Sequence, residues 1–587
     1  MKDFFKMMLA SCLSNLIILV IGMFLFFAFI VGSVASLMSS GENTDMIVKE
    51  NSVLKLELNK TIYEQTPGEL NSYLEGNQAL GADVLFKAIR MAKDDDNISG
   101  IYIKMSPMYN AGWALTEELR NAIVDFKESG KFVYSYADTY SQKGYYLVSV
   151  ADSIFINPSG VLDFKGIAAE TLFIKDLLDK LDVKVKLIRP RSNAFKSAGE
   201  MYTMTQMSQA NKTQIRTYIE SIWNHVSGDI SIERNIPVDR LNAIADNLEA
   251  YLPADALKNG LVDALVFEHD VLVSMAKQIG TNDYDDIDFV KAKSYVQSAV
   301  DNVSRNKIAV IYAQGDVMSG NGTGVNVYSS VITNALNNAA DNDNIKAIVL
   351  RVNSPGGAVV ASEIMTNAVI RAKQKKPIVV SMSDVAASAG YEISCNANVI
   401  VAMPTTITGS IGVFGLYPEV GGMLKNKLGI TTDTVLTNKN AAALSVMRPL
   451  SNEGHEVLVR NVEDFYVTFC QRVAKGRNLP VEYVDSIARG RVWTGIDAKN
   501  LGLVDELGGL DMALDIAAEL AQIDNYSIVA YPKEKDLATQ LMELLGEEQS
   551  LAEVLSKNTN TEKYYNLMDY VKNMEPLQAR LPYFIDF

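Results

Sequence analysis

Hydrophobic and polar residues follow one another along most of the chain in a pattern that predicts helices alternating with strands. Residues 85–104 combine apolar positions at helical spacing, a turn rich in Asp and Asn, and a run of β-branched residues typical of a strand. Residues 332–351 show the same succession. Strands that alternate with helices favour a parallel sheet with helical crossovers. The pattern therefore predicts an α/β fold.

This pattern occurs twice, at a period of about 246 residues. Residues 131–160 match residues 376–406, with Asp138 opposite Asp384. Solenoid repeats have periods of about 20 to 50 residues. The much longer period found here indicates two copies of a whole domain.

The N-terminal end departs from the pattern. Residues 7–40 carry no charged side chain, which is enough apolar chain to cross a bilayer of about 30 Å as a helix. Lys2 and Lys6 precede this run and acidic residues follow it, so the positive-inside rule places the N-terminus in the cytoplasm and the remainder outside. A cleaved signal peptide ending near residues 33–35 is the alternative, although its apolar core would be unusually long.

These patterns divide the chain into four predicted parts. They are a cytoplasmic stub and transmembrane anchor at 1–45, α/β halves at 46–300 and 301–530, and a C-terminal helical tail at 531–587. The tail contains amphipathic helical patterns and an aromatic end. We expect it to act in packing or assembly rather than in a membrane contact.

Composition and charge exclude several classes of function. The chain has 587 residues, of which 48% are apolar, so it can bury more than one core. Its 54 basic and 70 acidic residues give a net charge of -16, which argues against nucleic acid as a partner. Three widely spaced histidines predict neither a metal site nor a Ser-His-Asp triad. Cys395 and Cys470 allow one optional disulfide bridge.

A comparison of the two halves identifies candidate chemistry in the second. Ser388 follows a strand, at a turn into a helix that would expose its hydroxyl, whereas its first-half counterpart is Gln142. Gly356 and Gly357 also follow a strand, and without a Cβ they let backbone N–H groups approach a ligand. Ser410 lies in a Thr-Gly-Ser sequence that the first half lacks. The second half is therefore predicted to carry acyl-transfer chemistry.

A serine nucleophile needs a base, and the first half offers a lysine. Because histidine is scarce, we expect a lysine whose pKa is lowered by burial or by neighbouring cations. Lys196 lies close to two arginines, and the matching stretch of the second half has Ala442 or Ala443 in its place. We therefore expect the halves to pack so that Lys196 and Ser388 meet in one composite site. The alternative is that Lys196 is an ordinary solvated lysine.

Several ordered motifs resemble the membrane-anchored bacterial signal peptide peptidase A family, also called protease IV, in its long duplicated form. They include FKSAGE at 195–200, VNSPGG at 352–357 and SDVAASAGYEIS at 383–394. The resemblance covers essentially the whole chain and implies tandem domains similar to Clp protease and the crotonases. It implies a homo-oligomeric enzyme, a tetramer in relatives, that degrades signal-peptide remnants and other hydrophobic peptides at the periplasmic face of the inner membrane. It implies no metal or organic cofactor.

The resemblance also implies roles for single residues. Ser388 would be the nucleophile, Lys196 the general base, and Ser410 would help to hold the lysine. The oxyanion hole would use backbone amides among the residues Ala389, Gly356 and Gly357. Many relatives have glycine where this chain has Ala389. Because an amide N–H serves either way, we expect activity to be retained.

Two other classes of function are alternatives. A crotonase-type enzyme acting on acyl thioesters would share the fold and the glycines, but it would need neither Ser388 nor Lys196. A non-catalytic, membrane-tethered scaffold would have no reason to keep both residues. The sequence leaves open whether they meet within one chain or between subunits.

Overall fold

Strands and helices alternate through both halves of the computed structural model, which describes Gly22 and residues 47–66, 80–298, 304–322, 326–532 and 577–580. The described residues from 48 onward form one compact unit. Each half contains its own mainly parallel sheet, and a third sheet takes strands from both. The predicted α/β fold is therefore confirmed.

The first half begins at a strand near residue 52. Its strands are β1 (Ser52–Leu58), β2 (Ile62–Tyr63), β3 (Leu80–Gly81), β4 (Ile98–Met105), β5 (Phe132–Tyr140), β6 (Ser153–Leu162), β7 (Lys184–Ile188), β8 (Ala264–Leu265) and β9 (Phe289–Lys291). Its α-helices are α1 (Ala82–Asp94), α2 (Trp113–Lys127), α3 (Gln142–Val148), α4 (Lys175–Lys180), α5 (Glu200–Thr203), α6 (Gln209–Arg234), α7 (Val238–Asp246), α8 (Pro253–Lys258), α9 (Glu268–Ile279) and α10 (Ala292–Ser298). The main sheet has the order β8-β6-β5-β4-β1-β9, and all its pairs are parallel.

The second half repeats this plan. Its strands are β10 (Lys307–Gln314), β11 (Val317–Met318), β12 (Val327–Tyr328), β13 (Ile345–Ser354), β14 (Gly356–Ala358), β15 (Ile378–Ala387), β16 (Val399–Ala402), β17 (Ile407–Gly409), β18 (Phe414–Glu419), β19 (Val492–Thr494), β20 (Glu506–Leu507), β21 (Ser527–Tyr531) and, near the C-terminus, β22 (Leu577–Arg580). Its helices are α11 (Ser329–Asp341), α12 (Val359–Lys373), α13 (Ala389–Ser394), α14 (Gly421–Leu428), α15 (Asn452–Arg477), α16 (Val481–Ile487), α17 (Gly495–Asn500) and α18 (Leu510–Ala521). The main sheet has the order β19-β17-β15-β13-β10-β21.

The central strand β15 leads directly to the candidate serine. It is buried at every position from Ile378 to Ala387. A central strand of a parallel sheet is covered on both faces, so it lacks the alternation of buried and exposed positions that a half-exposed strand shows. The strand therefore forms a rigid base for the turn that follows it.

A third sheet joins the two halves, with the order β12-β11-β14-β22-β18-β7. In it, β7 of the first half pairs antiparallel with β18 of the second, from Lys184 opposite Glu419 to Ile188 opposite Gly415. The loop after β7 carries Lys196. This pairing therefore delivers the lysine to the second half.

Buried charged residues also join the halves. Arg351 on β13 donates hydrogen bonds to Glu64 at 2.8 Å and to Glu118 at 2.6 Å, and all three side chains are buried. Asp384 on β15 accepts a hydrogen bond of 2.9 Å from the N–H of Leu115, in the first turn of α2. A buried charge without a partner is costly, so these contacts favour one way of packing the halves.

Several predictions concern residues at or beyond the limits of the described chain. The anchor predicted at 7–40 lies outside the described residues, except for Gly22. The helices predicted within 533–576 also lie outside them. No described helix is long and apolar enough to cross a membrane. Residues 577–580 form a strand where a helical tail was expected, because their backbone pairs with β14 and β18. Cys395 and Cys470 are buried and free, so the optional disulfide is not formed.

Candidate active site

Ser388 lies at the sharp turn between β15 and α13. Its φ of 57° and ψ of -116° fall in a region that non-glycine residues rarely adopt. Its N–H donates to the Gly409 carbonyl oxygen at 2.8 Å, and its own carbonyl oxygen accepts from the Glu392 N–H at 2.9 Å. A Cβ on Gly390 would lie 2.7 Å from the Ser354 carbonyl oxygen, so the turn needs glycine there. Strained turns held by their surroundings in this way cluster at functional sites.

Lys196 of the first half meets Ser388 of the second half within one chain. Its Nζ donates to Ser388 Oγ at 2.8 Å. It also donates to the carbonyl oxygen and to the Oγ of Ser410, each at 3.0 Å. All three residues have 0% exposure. The structure thus brings together the lysine and both serines named from the sequence, and the alternative of a solvated lysine is wrong.

Burial controls the protonation of Lys196. Desolvation lowers the pKa of its amine well below the ordinary value, because the ammonium form loses its hydration. The three acceptors around Nζ are neutral oxygens and do not reverse this effect. In the neutral amine two N–H groups remain, which the two Ser410 oxygens can accept, and the lone pair is left to accept the Ser388 hydroxyl proton. Arg189, one of the neighbouring arginines, donates instead to the Lys196 carbonyl oxygen at 3.1 Å.

The lysine segment is held against residues 489–491 of the second half. The Phe195 N–H donates to the Arg489 carbonyl oxygen at 3.1 Å. Gly490, with φ of 80°, packs so closely that a Cβ there would lie 2.5 Å from Lys196 Cβ. The carbonyl oxygen of the next residue, Arg491, accepts a hydrogen bond from the Ser410 N–H at 2.7 Å. One short segment therefore contacts both the lysine and the serine that supports it.

The residues predicted for the oxyanion hole lie in β14 and at the start of α13. A Cβ on Gly357 would overlap the backbone of Val317, so this strand approaches its neighbour only as glycine. The Gly356 N–H donates to Ser354 Oγ at 3.2 Å. Ala389 is fully buried as the first residue of α13. The glycine strand and the serine turn therefore bound the same site.

The chain's own strand β22 occupies the gap between β14 and β18. It pairs antiparallel with β14, with Gly357 opposite Ala579. On its other edge it pairs antiparallel with β18, with Gly415 opposite Leu577. An extended segment is thus paired on both sides, immediately beside the glycines of β14.

One group of metal-ligating residue types occurs among the described residues, namely Glu117, His225 and Asp229. His225 Nε2 lies 2.8 Å from Glu117 Oε1, and Arg120 lies 3.8 Å from Asp229 Oδ2. Burial opposes protonation, but the hydrogen bond to Glu117 raises the pKa of His225. The His225 hydrogen bond to Glu117 and the Arg120 guanidinium beside Asp229 already provide partners for these carboxylates. We therefore assign the group to an ion-pair cluster and not to a metal site.

Comparison with known proteins identifies the family of the chain. The model of Peptidase family S49 matches residues 125–282 and again residues 370–524, once in each half. The chain belongs to peptidase family S49. The two matches confirm the duplication, and membership makes the protein a serine peptidase.

Curated relatives of this S49 peptidase span most of its length. Protease 4 of Salmonella typhi is 35% identical over 549 residues, which cover 89% of this chain and 87% of the relative. Protease 4 of Haemophilus influenzae is 33% identical over 522 residues, covering 85% and 83%. The chloroplastic serine protease SPPA of Arabidopsis thaliana is 29% identical over 545 residues, covering 89% and 78%. The resemblance drawn from the motifs is thereby confirmed.

Solved structures give weaker likenesses. ClpP1 from Listeria monocytogenes is 16% identical with a TM-score of 0.24, covering 34% of this chain and 92% of that one. A membrane-bound stomatin-specific protease, 1510-N, is 13% identical with a TM-score of 0.26, covering 40% and 100%. Scores at this level carry no argument about the S49 peptidase.

Sequence reasoning missed the buried polar residues that contact the neighbours of Lys196 in this peptidase. Asn211 and Gln214 lie on the buried face of α6, shortly after the Lys196 motif. The sequence signal that could have identified them is the spacing of Asn211 and Gln214, two polar residues three positions apart on one face of a helix. Gly490 is the first residue of the sequence GRVWTG at 490–495, but its role depends on which backbone packs against it.

Proposed function

We propose that this S49 peptidase is a membrane-anchored endopeptidase in which Ser388 is the nucleophile and Lys196 the general base. The observation that carries the proposal is the 2.8 Å contact from buried Lys196 Nζ to Ser388 Oγ. At this distance the serine proton can pass directly to an amine whose burial disfavours the charged form.

In the acylation step, neutral Lys196 accepts the hydroxyl proton as Ser388 Oγ attacks the peptide carbonyl carbon. The carbonyl oxygen becomes an oxyanion, which the backbone N–H of Ala389 and that of Gly356 or Gly357 stabilise. Lys196 then protonates the leaving amine, the C–N bond breaks, and an acyl-enzyme ester remains. In the second step Lys196 takes a proton from water as the water oxygen attacks the ester carbon. The bond between this carbon and Ser388 Oγ then breaks, Lys196 returns the proton to Oγ, and the peptide leaves with a new C-terminal carboxyl group.

Ser410 stabilises the charged form of the lysine during both steps. An ammonium group has three N–H donors and no acceptor. Lys196 Nζ has three acceptors in the structure, namely Ser388 Oγ and two oxygens of Ser410. When Ser388 Oγ bonds to the substrate, the two Ser410 oxygens keep the lysine oriented.

The substrates that we propose are hydrophobic peptides, including remnants of cleaved signal peptides. The gap between β14 and β18 supports an extended peptide as substrate, because it accepts a strand antiparallel to the glycine strand. Backbone hydrogen bonds at sheet edges bind extended peptides with little demand on sequence. Small or apolar side chains near the cut would then set the preference.

We further propose tandem Clp-protease/crotonase-like halves at 46–300 and 301–530, between an anchor at 1–45 and a C-terminal segment at 531–587. The apolar run at 7–40 supports the anchor, with the N-terminus in the cytoplasm and the halves on the periplasmic face of the inner membrane. The enzyme would act as a homo-oligomer, a tetramer as in relatives. The steps above require no metal or organic cofactor.

The test is hydrolysis of a short apolar fluorogenic peptide by the detergent-purified protein. We expect Ser388→Ala and Lys196→Met each to lose several orders of magnitude in kcat, since such groups act as a unit. Ser383→Ala is the serine control, because Ser383 is buried on β15, the strand that leads to Ser388, and its Oγ has no partner among the described residues. Exposed Lys212 provides the lysine control.

Each outcome separates the proposal from its alternatives. Full activity of Lys196→Met would mean that another group is the base. Turnover of acyl thioesters without peptide hydrolysis would favour a crotonase-type enzyme. Neither turnover nor labelling of Ser388 by a serine-reactive probe would favour a scaffold. Protease accessibility in intact and permeabilised cells tests the topology, and light scattering of the detergent-purified protein tests the tetramer.

A further inference from the structure

The residues on either side of Lys196 contact a buried polar cluster of helix α6. Gln214 Nε2 donates to the Phe195 carbonyl oxygen at 2.9 Å and to Ser197 Oγ at 2.9 Å. Ser197 Oγ in turn donates to Asn211 Oδ1 at 2.9 Å. Gln214 has 0% exposure, Asn211 1% and Ser197 2%. The two residues that flank Lys196 are thus both bound by one side chain.

Gln214 also reaches the second half. Its Oε1 accepts a hydrogen bond from the Val492 N–H at 3.4 Å. Val492 follows the segment in which Gly490 packs on Lys196 and Arg491 accepts the Ser410 N–H. Gln214 therefore bridges the segment that carries the lysine and the segment that holds its supporting serine.

We propose that Gln214 is a positioning residue for the peptidase reaction, which fixes the Lys196 segment against residues 490–492 so that Nζ reaches Ser388 and Ser410. The inference rests on the proposed role of Lys196 as the base. Because the amide nitrogen binds the lysine segment and the amide oxygen binds Val492, the Gln214 side chain acts as a spacer that sets the distance between the two segments. Its neutral amide does this without adding charge beside the lysine.

Removing the spacer has a specific consequence for Lys196. Gln214→Met keeps the approximate length of the side chain but removes the hydrogen bonds to the Phe195 carbonyl oxygen, to Ser197 Oγ and from the Val492 N–H. The lysine segment then shifts and water reaches Nζ, which moves the lysine pKa back toward its ordinary value. The charged residues in or against the segment include Arg189, Arg191, Glu200, Arg489 and Arg491, and the variant changes none of them.

The experiment compares Gln214→Met with wild type in kcat, KM and the pH profile of kcat/KM for peptide hydrolysis. We expect kcat to fall about 10- to 100-fold, because a displacement of about 1 Å can have this effect. We expect KM to change little and the acidic limb of the profile to move to higher pH. A loss of folded protein alone would lower the apparent kcat without moving the limb.

Ser221→Ala is the matched control on the same helix and against the same strand. Ser221 Oγ lies 3.0 Å from Thr494 Oγ1, so this variant also removes a hydrogen bond between α6 and β19. Within the described part of the chain, the Ser221 hydroxyl is bound to Thr494 and not to the lysine segment, and we expect the pH profile of the variant to match wild type. If Gln214→Met does not fold, Gln214→Asn replaces it, since it keeps a neutral amide but is one methylene shorter and cannot reach Phe195 and Val492 together.

The result that would overturn the inference is a wild-type kcat and pH profile in the folded Gln214 variant while Lys196→Met is inactive. An equal shift in Ser221→Ala would also overturn it, because general loosening of α6 would then explain both. If Lys196→Met is itself active, the failure lies in the proposed base and not in Gln214.

Discussion

Replacement of Gly490 by alanine tests how closely the second half holds the lysine. A Cβ at this position would lie 2.5 Å from Lys196 Cβ, 2.6 Å from its N and 2.7 Å from its Cα. Non-bonded carbon atoms normally approach to about 3.5–4.0 Å, so the lysine segment must retreat by about 1 Å. A displacement of this size can cost about 100-fold in rate. We therefore expect kcat for peptide hydrolysis to fall about 100-fold, with little change in KM because β14 and β18 are untouched.

Gly280→Ala is the matched control for this variant. Gly490 and Gly280 have φ of 80° and 79°, so alanine has a similar backbone cost of about 1–2 kcal/mol at either position. A Cβ at residue 280 meets no atom within 4 Å. Thermal unfolding and steady-state hydrolysis of the fluorogenic peptide, measured on both variants, separate stability from activity. Equal kcat in the two variants would refute the idea that residue 490 sets the position of Lys196.

Further predictions follow from the same contacts. Ser410→Ala removes the Oγ that accepts from the lysine, and a loss of about 10- to 100-fold in kcat is expected, consistent with a hydrogen bond to a charged group. Lys196→Met should raise Tm near neutral pH. Folding lowers the pKa of Lys196, so the unfolded chain binds more protons than the folded chain and wild-type stability rises as the pH approaches 10.5. The difference in Tm between the variant and wild type should therefore shrink toward this pH. A difference in Tm that does not change with pH would contradict the burial argument. Arg351→Met leaves two buried carboxylates without their cation and should lower the free energy of unfolding, measured in urea, by about 3–5 kcal/mol. A much smaller loss would show that the cluster is hydrated. A chain that ends at residue 576 lacks β22, and its KM for peptide should fall because the gap is vacant; an unchanged KM would show that β22 does not compete with substrate.

The candidate site was accessible to sequence reasoning because the chain contains two copies of one domain. Ser388 stands opposite Gln142, and Lys196 stands opposite Ala442 or Ala443, so each copy lacks what the other keeps. Nucleophile and base are recognised by residue type, which is visible in a sequence. Gln214 and Gly490 have no such chemical mark, and their roles appear only when the segments that they contact are known.

The sequence by itself determined the α/β alternation, the duplication and the identity of the groups available for chemistry, because these depend on local periodicity and residue type. Tertiary structure decided that Lys196 Nζ and Ser388 Oγ, which are 192 positions apart along the chain, lie 2.8 Å from each other. It also decided the low pKa of Lys196, since desolvation is a property of the surroundings and not of the side chain. Residues 577–580 show the same limit. They form a strand because the edges of β14 and β18 satisfy their backbone, and hydrogen bonds between distant segments leave no pattern in the local sequence.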